Sequence, residues 1–238
     1  MHGCAADPPG AIRLGPARLS VVVPALNEAH GIAAALQALE PLRRRGHEVI
    51  VVDGGSVDGT PQLARPLCDQ VITAPRGRAL QMNAGAREAR GDAVVFLHAD
   101  TRLPALADEM ILRSLKTHVW GRFDVQIDAR HPLLKLVACA MNLRSRLTGI
   151  ATGDQAIFVR RDVFRGFPAI ALMEDIAFSK AMKRQGPPAC LHQCVVTSGR
   201  RWESRGVART ILLMWRLRLM YFLGARPEVL ARLYANEP

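Results

Sequence analysis

Three short runs of consecutive β-branched and aliphatic residues constrain this chain most. They are 19–23 (Leu-Ser-Val-Val-Val), 47–52 (ending Val49-Ile50-Val51-Val52) and 93–97 (Ala-Val-Val-Phe-Leu). A run that is apolar at nearly every position is a strand covered on both faces, which is the habit of parallel strands. Between the first two lies a helical stretch, 29–43, with Ile32, Leu36 and Leu39 on one face, ended by Gly46. Strand, helix and strand with short links make a βαβ unit. A helix opening near Pro61, a short strand at 70–74 and a helix reaching Gly91 extend the pattern to β-α-β-α-β-α-β, half of a doubly wound sheet.

The pattern then loosens. A helix is expected from Pro104 to about 118. At 122–128, Phe123, Val125 and Ile127 alternate with Arg122, Asp124, Gln126 and Asp128, which predicts a half-exposed strand. Further expectations are an amphipathic helix at 132–147, a short strand at 156–159 and a helical turn at 161–164. A helix at 174–185, a strand at 191–196 and helix from 206 onward, broken around 224–227, complete the series. The expected fold class is α/β: a mixed, mostly parallel Rossmann-like sheet flanked by helices, with a C-terminal helical extension. Its expected divisions are an N-terminal arm at 1–18, one domain at 19–205 and the extension at 206–238. The arm holds Pro8, Pro9, Gly10 and Pro16 and no apolar run, unlike a signal peptide.

The net charge of +11 suits an anionic partner such as a nucleoside diphosphate, although an arginine-rich proteome gives the same balance. The arginines are dispersed and no nucleic-acid motif accompanies them, so no nucleic-acid partner is expected. The five cysteines are odd in number and scattered, which argues for a reducing, cytoplasmic setting. Cys190 and Cys194 flank His192 without a second pair to complete four ligands, so they read as structural. No stretch of about 20 residues is continuously apolar, so no spanning helix is expected. Residues 207–223 are apolar but interrupted by Arg209, Arg216 and Arg218. They suit a core or homodimer helix first, and a peripheral membrane helix second.

The polar residues gather where the strands end, which is where ligands sit on open α/β sheets. The first strand runs into Pro24-Ala25-Leu26-Asn27-Glu28, the second into Asp53-Gly54-Gly55-Ser56-Val57-Asp58-Gly59-Thr60 and the fourth into His98-Ala99-Asp100. An acid at a strand end accepts hydrogen bonds from a base or a ribose, and glycines admit a flat ring. Asp100 offers the hard oxygen that Mg²⁺ or Mn²⁺ prefers, and His98 stands two residues away. Glu174 and Asp175 open a helix, where acids favour the helix dipole and one of a pair can act as a general base. Neither a dinucleotide fingerprint nor a P-loop is present. Taken alone, the first motif and the Glu174-Asp175 pair read more readily as local capping, and His98-Ala99-Asp100 equally well.

Taken together the motifs resemble the inverting family 2 of nucleotide-sugar glycosyltransferases, which has the GT-A fold. That family has a V-V-I-P-x-x-N-E strand, V-D-D-G-S-x-D-G-T, a D-x-D-type metal motif and a catalytic Asp in an E-D pair. The likeness covers roughly 19–185. Two positions depart from it: Gly54 replaces an Asp, and His98 replaces the first acid of D-x-D. His98-Ala99-Asp100, the stretch from Gly77 to Gly85 and Thr197 to Trp202 resemble a narrower group, rSAM/selenodomain-associated transferase 2, some of whose members are labelled arsenosugar-biosynthesis glycosyltransferases.

The resemblance implies a nucleotide-sugar donor, a hydroxyl acceptor of unknown identity and a divalent cation, Mn²⁺ or Mg²⁺. Pro24, Ala25, Asn27, Glu28, Asp53, Gly55, Asn83 and His98 would line the donor side. Arg78, with Arg76, would meet the diphosphate. Asp100, with His98, would hold the metal. Asp175 would deprotonate the acceptor, tuned by Glu174. Gly153, Asp154 and Gln155 would line the acceptor side, and Arg200-Arg201-Trp202 resembles the basic element that closes over the site in processive relatives. The competing functions are a nucleotidyltransferase of similar shape and a non-catalytic sugar-nucleotide-binding module. The first lacks its Gly-rich basic loop after the first strand; the second is opposed by the retained Asp100 and Asp175.

Overall fold

The computed structural model describes residues 17–235; residues 1–16 of the expected arm lie outside the described residues. Eight strands form one sheet: β1 (Leu19–Ala25), β2 (Glu48–Asp53), β3 (Gln70–Thr73), β4 (Ala93–Phe96), β5 (Thr101–Arg102), β6 (Trp120–Asp128), β7 (Phe158–Arg160) and β8 (Ala189–Ser198). Their spatial order is β3-β2-β1-β4-β7-β6-β8-β5. The β3-β2-β1-β4 half is parallel throughout. In the other half β7 runs antiparallel to both β4 and β6, β6 and β8 are parallel, and β5 is antiparallel to β8.

The helices are α1 (Ile32–Gln37), α2 (Glu40–Arg44), α3 (Thr60–Ala64), α4 (Arg78–Glu88), α5 (Ala107–Ser114), α6 (Pro132–Thr148), α7 (Glu174–Met182), α8 (Arg200–Arg205), α9 (Val207–Phe222) and α10 (Pro227–Ala235). The expected 29–43 helix is thus two short helices. Pro41, in the first turn of α2, has no N–H to continue the ladder of α1, so the chain restarts there.

The strand pleat divides the core. Val21, Val23, Val49 and Val51 face a layer that includes Ile32, Leu36 and Ile111. Val22, Ile50 and Val52 face Met82, Ala86 and, further along, Phe178. On that second side α4 lies so close that a Cβ on Gly85 would stand 2.4 Å from Val22 Cγ1 and 2.8 Å from Val52 Cγ2.

The half-exposed strand expected at 122–128 is mostly buried: only Gln126 and Asp128 are exposed. Alternation of charged and apolar residues misleads here because α6 covers the polar face. Arg122, fully buried, pairs with Asp124, whose other oxygen takes Arg146 of α6. The short strand β5 and helix α8 are additions to the expected series. Both are too short to carry a periodic signal.

Residues 206–235 do not hang free. Leu213, Leu217 and Leu230 pack with Met173, the residue before α7, while Val207 joins Leu134 and Ala138 of α6. The opposite face of α9 leaves Leu212, Trp215, Leu219 and Phe222 exposed. Among the described residues no helix is long and apolar enough to cross a membrane.

Candidate active site

A cleft of about 570 Å³ opens at the carboxyl ends of β1 and β4. Pro24, Ala25, Glu28, Arg76 and Arg78 line one side. His98, Asp100, Gly153 and Asp154 lie across its floor, and Glu174 and Asp175 face it from the start of α7. Trp202, Met214, Arg218 and Tyr234 close the remaining wall. The C-terminal segment, read from the sequence as an extension, therefore supplies part of the cleft.

Several sequence candidates build the cleft without lining it. The Asp53 carboxylate accepts the N–H groups of Gly55 (2.9 Å) and Ser56 (3.0 Å), shaping its own loop. Asn27, at φ 54°, accepts from Val57 N (3.0 Å) while its own N–H donates to Ser56 Oγ (2.8 Å). These bonds, with Glu28 N to Thr60 Oγ1 (2.8 Å) and Ala29 N to Asp58 Oδ2 (2.9 Å), stitch the two loops together. Asn83 grips both backbone groups of Phe167, at 2.8 and 2.7 Å, on the other face of α4. Gln155 is fully buried, in a capping box with Thr152 and in reach of Asn142 Oδ1 at 3.3 Å. Arg200 is exposed and outside the lining; the Arg201 side chain lies outside the described residues.

One residue of structural consequence is missing from the sequence candidates. Gln81 is buried, and its amide donates to Ala25 O (2.9 Å) and Val52 O (2.8 Å), tying the ends of β1 and β2 together. A Cβ at position 54 would stand 3.0 Å from that amide, which gives Gly54 a physical reason. The pairing of Gly54 with Gln81 in one chain was the available signal, but only a three-dimensional contact shows that it matters.

The acids are placed differently from one another. Asp175 lies in the first turn of α7, after Met173 at φ 69°. Its Oδ2 accepts Gly153 N–H (3.1 Å) and its Oδ1 accepts Ile176 N–H (2.7 Å). Both bonds hold the carboxylate in one orientation at the positive end of the helix. Glu174 is buried, with Arg78 Nε 3.6 Å away. Burial lifts its carboxyl above the ordinary value, against the pull of Arg78 and with a push from Asp175. Burial lowers Arg78, but Glu174, Asp175 and Asp154 outweigh it and keep this guanidinium firmly charged.

His98 turns toward the acceptor-side loop. Its Nδ1 stands 3.4 Å from Asp154 Oδ1, and its Nε2 is buried against Gly153, where a Cβ would come within 2.6 Å. His98 lines the cleft beside Asp100, which presents a carboxylate there with one oxygen 3.3 Å from the Thr101 hydroxyl. Among the described residues no group of three or more His, Cys, Asp or Glu could hold an ion. A divalent cation fits this donor set only as one shared with a ligand's own oxygens, with Asp100 as the protein's contribution.

Residues 20–165 match the family model described as Glycosyl transferase family 2. Solved structures agree in fold. A mannosyltransferase from Pyrobaculum calidifontis, in complex with GDP-Man and Mn²⁺, is 23% identical with a TM-score of 0.63, over 94% of this chain and 72% of that one. TarS 1–349 of S. aureus, in complex with UDP, is 20% identical with a TM-score of 0.61, over 76% of this chain and 60% of that one. Glucosyl-3-phosphoglycerate synthase from Mycobacterium tuberculosis, with Mn²⁺, UDP and phosphoglyceric acid, is 21% identical with a TM-score of 0.57, over 76% and 69%.

Proposed function

The chain belongs to glycosyl transferase family 2 and has the GT-A fold, and from that premise we propose that it transfers a sugar from a nucleotide-sugar donor to an acceptor hydroxyl with inversion. The observation that carries this reading is the gathering of Arg76, Arg78, Asp100, Glu174 and Asp175 in one cleft at the strand ends. The nucleoside lies against Pro24, Ala25 and Glu28, over the loops that Asp53 and Asn27 hold in shape. Arg78, kept in place by Glu174, meets the diphosphate. Glu174 is thus a positioning residue, and His98 with Asp154 positions the loop whose Gly153 N–H holds Asp175.

Asp175 takes the proton of the acceptor hydroxyl. That oxygen bonds to the anomeric carbon from the face opposite the diphosphate, and the pair from the breaking C–O bond leaves with the diphosphate. Negative charge grows on the leaving group, where Arg78 and Arg76 are most effective. A divalent cation held by Asp100 would supply further Lewis-acid neutralisation there. Residues 19–205 serve as the transfer domain, with 206–235 as its acceptor-side wall.

The test is a thermal-shift screen of nucleotide sugars and nucleoside diphosphates, with and without Mn²⁺ or Mg²⁺, on the wild type and Asp100→Ala. At least one donor raises the melting temperature with metal present, and Asp100→Ala removes the metal-dependent part. No stabilisation by any of them counts against the donor, and equal stabilisation with and without metal removes the role given to Asp100.

A further inference from the structure

Two largely buried arginines, Arg144 and Arg218, have no direct carboxylate partner among the described residues. Arg144 of α6 keeps Nε and Nη2 from solvent, and Arg218 of α9 keeps Nε from solvent; these three atoms have no hydrogen-bond partner among the described residues. Neither guanidinium forms an ion pair with a described carboxylate, although eleven other such pairs involve Arg or His. Burial pushes Arg144 down to about 10, and the neighbouring charges of Arg218 and Arg122 push the same way against the pull of Asp175. Burial lowers Arg218 as well, with Asp175 and Asp154 acting oppositely.

An uncompensated buried charge is strongly unfavourable, and a guanidinium fork is shaped for a bidentate oxyanion. Arg218 lines the same cleft as Gly153, Asp154 and Asp175, on the wall made by Met214 and Tyr234. Asp175 and Asp154 both act on the Arg218 charge, which puts it beside the carboxylate proposed to take the acceptor's proton. We propose that Arg218, backed by Arg144, seats an oxyanion of the acceptor, so that the acceptor is an acidic hydroxyl compound carrying a phosphate ester or a carboxylate. This rests on the proposed transfer reaction and narrows its acceptor class. The anion fixes one end of the acceptor, and its hydroxyl is presented to Asp175.

The same chemistry is offered by a small soluble acid and by a lipid headgroup. α6 and α9 pack together through Leu134, Ala138, Val207 and Ile211, and both expose apolar rows outside that contact: Leu136, Leu143 and Leu147 on α6, Leu212, Trp215 and Phe222 on α9. A lipid therefore has a surface on which to approach.

The experiment uses the full chain, with and without a saturating nucleoside diphosphate. Glycerol 3-phosphate and glycerate are titrated by calorimetry, and phosphatidylcholine vesicles with and without phosphatidic acid are tested by flotation. The wild type binds at least one anionic probe, and Arg218→Gln and Arg144→Gln each weaken it by about tenfold or more, the loss of a charge-assisted hydrogen bond. Nucleoside diphosphate binding stays unchanged. Without anion, the variants melt no lower than the wild type, because an unpaired like charge has been removed. Arg218→Lys, which keeps the charge but not the fork, binds at an intermediate level and remains the readout where a Gln variant does not fold. Binding of the soluble acids identifies a soluble source; binding only of phosphatidic acid vesicles, sensitive to both arginines, identifies a lipid. The proposal is overturned if no anionic probe binds, or if binding ignores both substitutions. Nucleoside diphosphate binding without anion binding refutes this site alone; the reverse refutes the donor reading and leaves the anion seat.

Discussion

Gly85→Ala should destabilise this protein, although the same change in an exposed helix would stabilise it. Alanine is the better helix former by about 1 kcal/mol, so propensity alone predicts a gain. The new methyl would stand 2.4 Å from Val22 Cγ1, 2.8 Å from Val52 Cγ2 and 3.1 Å from Val22 Cγ2. Carbon atoms settle at about 3.5–4.0 Å, so α4 must lift by roughly 1 Å. The valines cannot yield easily: both are fully buried in strands paired on both sides. Overpacking of this kind costs about 1–3 kcal/mol, and two clashes against β-branched side chains place it in the upper part of that range. The net loss is then about 1–2 kcal/mol, or roughly 3–6 °C in a chain of this size. The lift also draws Gln81 from Ala25 O and Val52 O and moves Arg78, which sits at the helix start. Donor affinity should therefore fall along with stability. Urea unfolding and a nucleoside diphosphate titration measure the two, and Val22→Ala added to Gly85→Ala should restore part of both. A Gly85→Ala protein more stable than wild type would refute the packing argument.

Two further outcomes follow from the acids. Asp175→Asn keeps an acceptor for the Gly153 N–H but loses the base, so transfer should drop by about 10²–10⁴ while donor affinity is nearly unchanged; single-turnover assays check this, and a fully active variant removes Asp175 from the proton transfer. In Asp108, buried between Arg45 (2.6 Å) and His47 (2.9 Å), burial raises the carboxyl but these partners outweigh it and hold it below its usual value. Its folded pKa is depressed, so its contribution is present above the unfolded value of about 4 and is lost as pH falls through the lower folded value. Asp108→Asn should cost roughly 1–2 kcal/mol at neutral pH, discounted because Arg45 is partly exposed, and should shrink the loss of stability in acid; urea unfolding at neutral and acid pH checks it, and an unchanged acid limb refutes it.

The parallel half of the sheet was legible because its signal is local. A run such as Val49-Ile50-Val51-Val52 is buried on both faces, and only a strand between two helix layers accepts it. The antiparallel half was less legible because its polar residues are neutralised at long range. Arg122 and Asp124 look like the wet face of a strand until α6 brings Arg146 over them. For the same reason the motif residues stood out in the sequence but the hydrogen bonds they make did not. Asp53, Asn27, Asn83 and Gln155 stand in or beside recognisable motifs, yet their hydrogen bonds run to backbone groups and loop partners that sequence spacing does not reveal.

These hidden bonds explain why so many polar residues surround so few that face the cleft. Each loop at the strand ends must be held open against collapse while its backbone groups are satisfied. Asp53 and Asn27 do this for the β1 and β2 loops, Gln81 for the strand ends themselves, and the Thr152–Gln155 capping box for the turn that offers Gly153 N–H to Asp175. Among the described residues that line the cleft, Arg218 and His98 break that rule at one nitrogen each. His98 Nε2 is buried beside Gly153, and Arg218 lines the open cleft. An oxyanion that reached the Arg218 guanidinium would satisfy its Nε–H, which is the physical ground for the proposed anion seat.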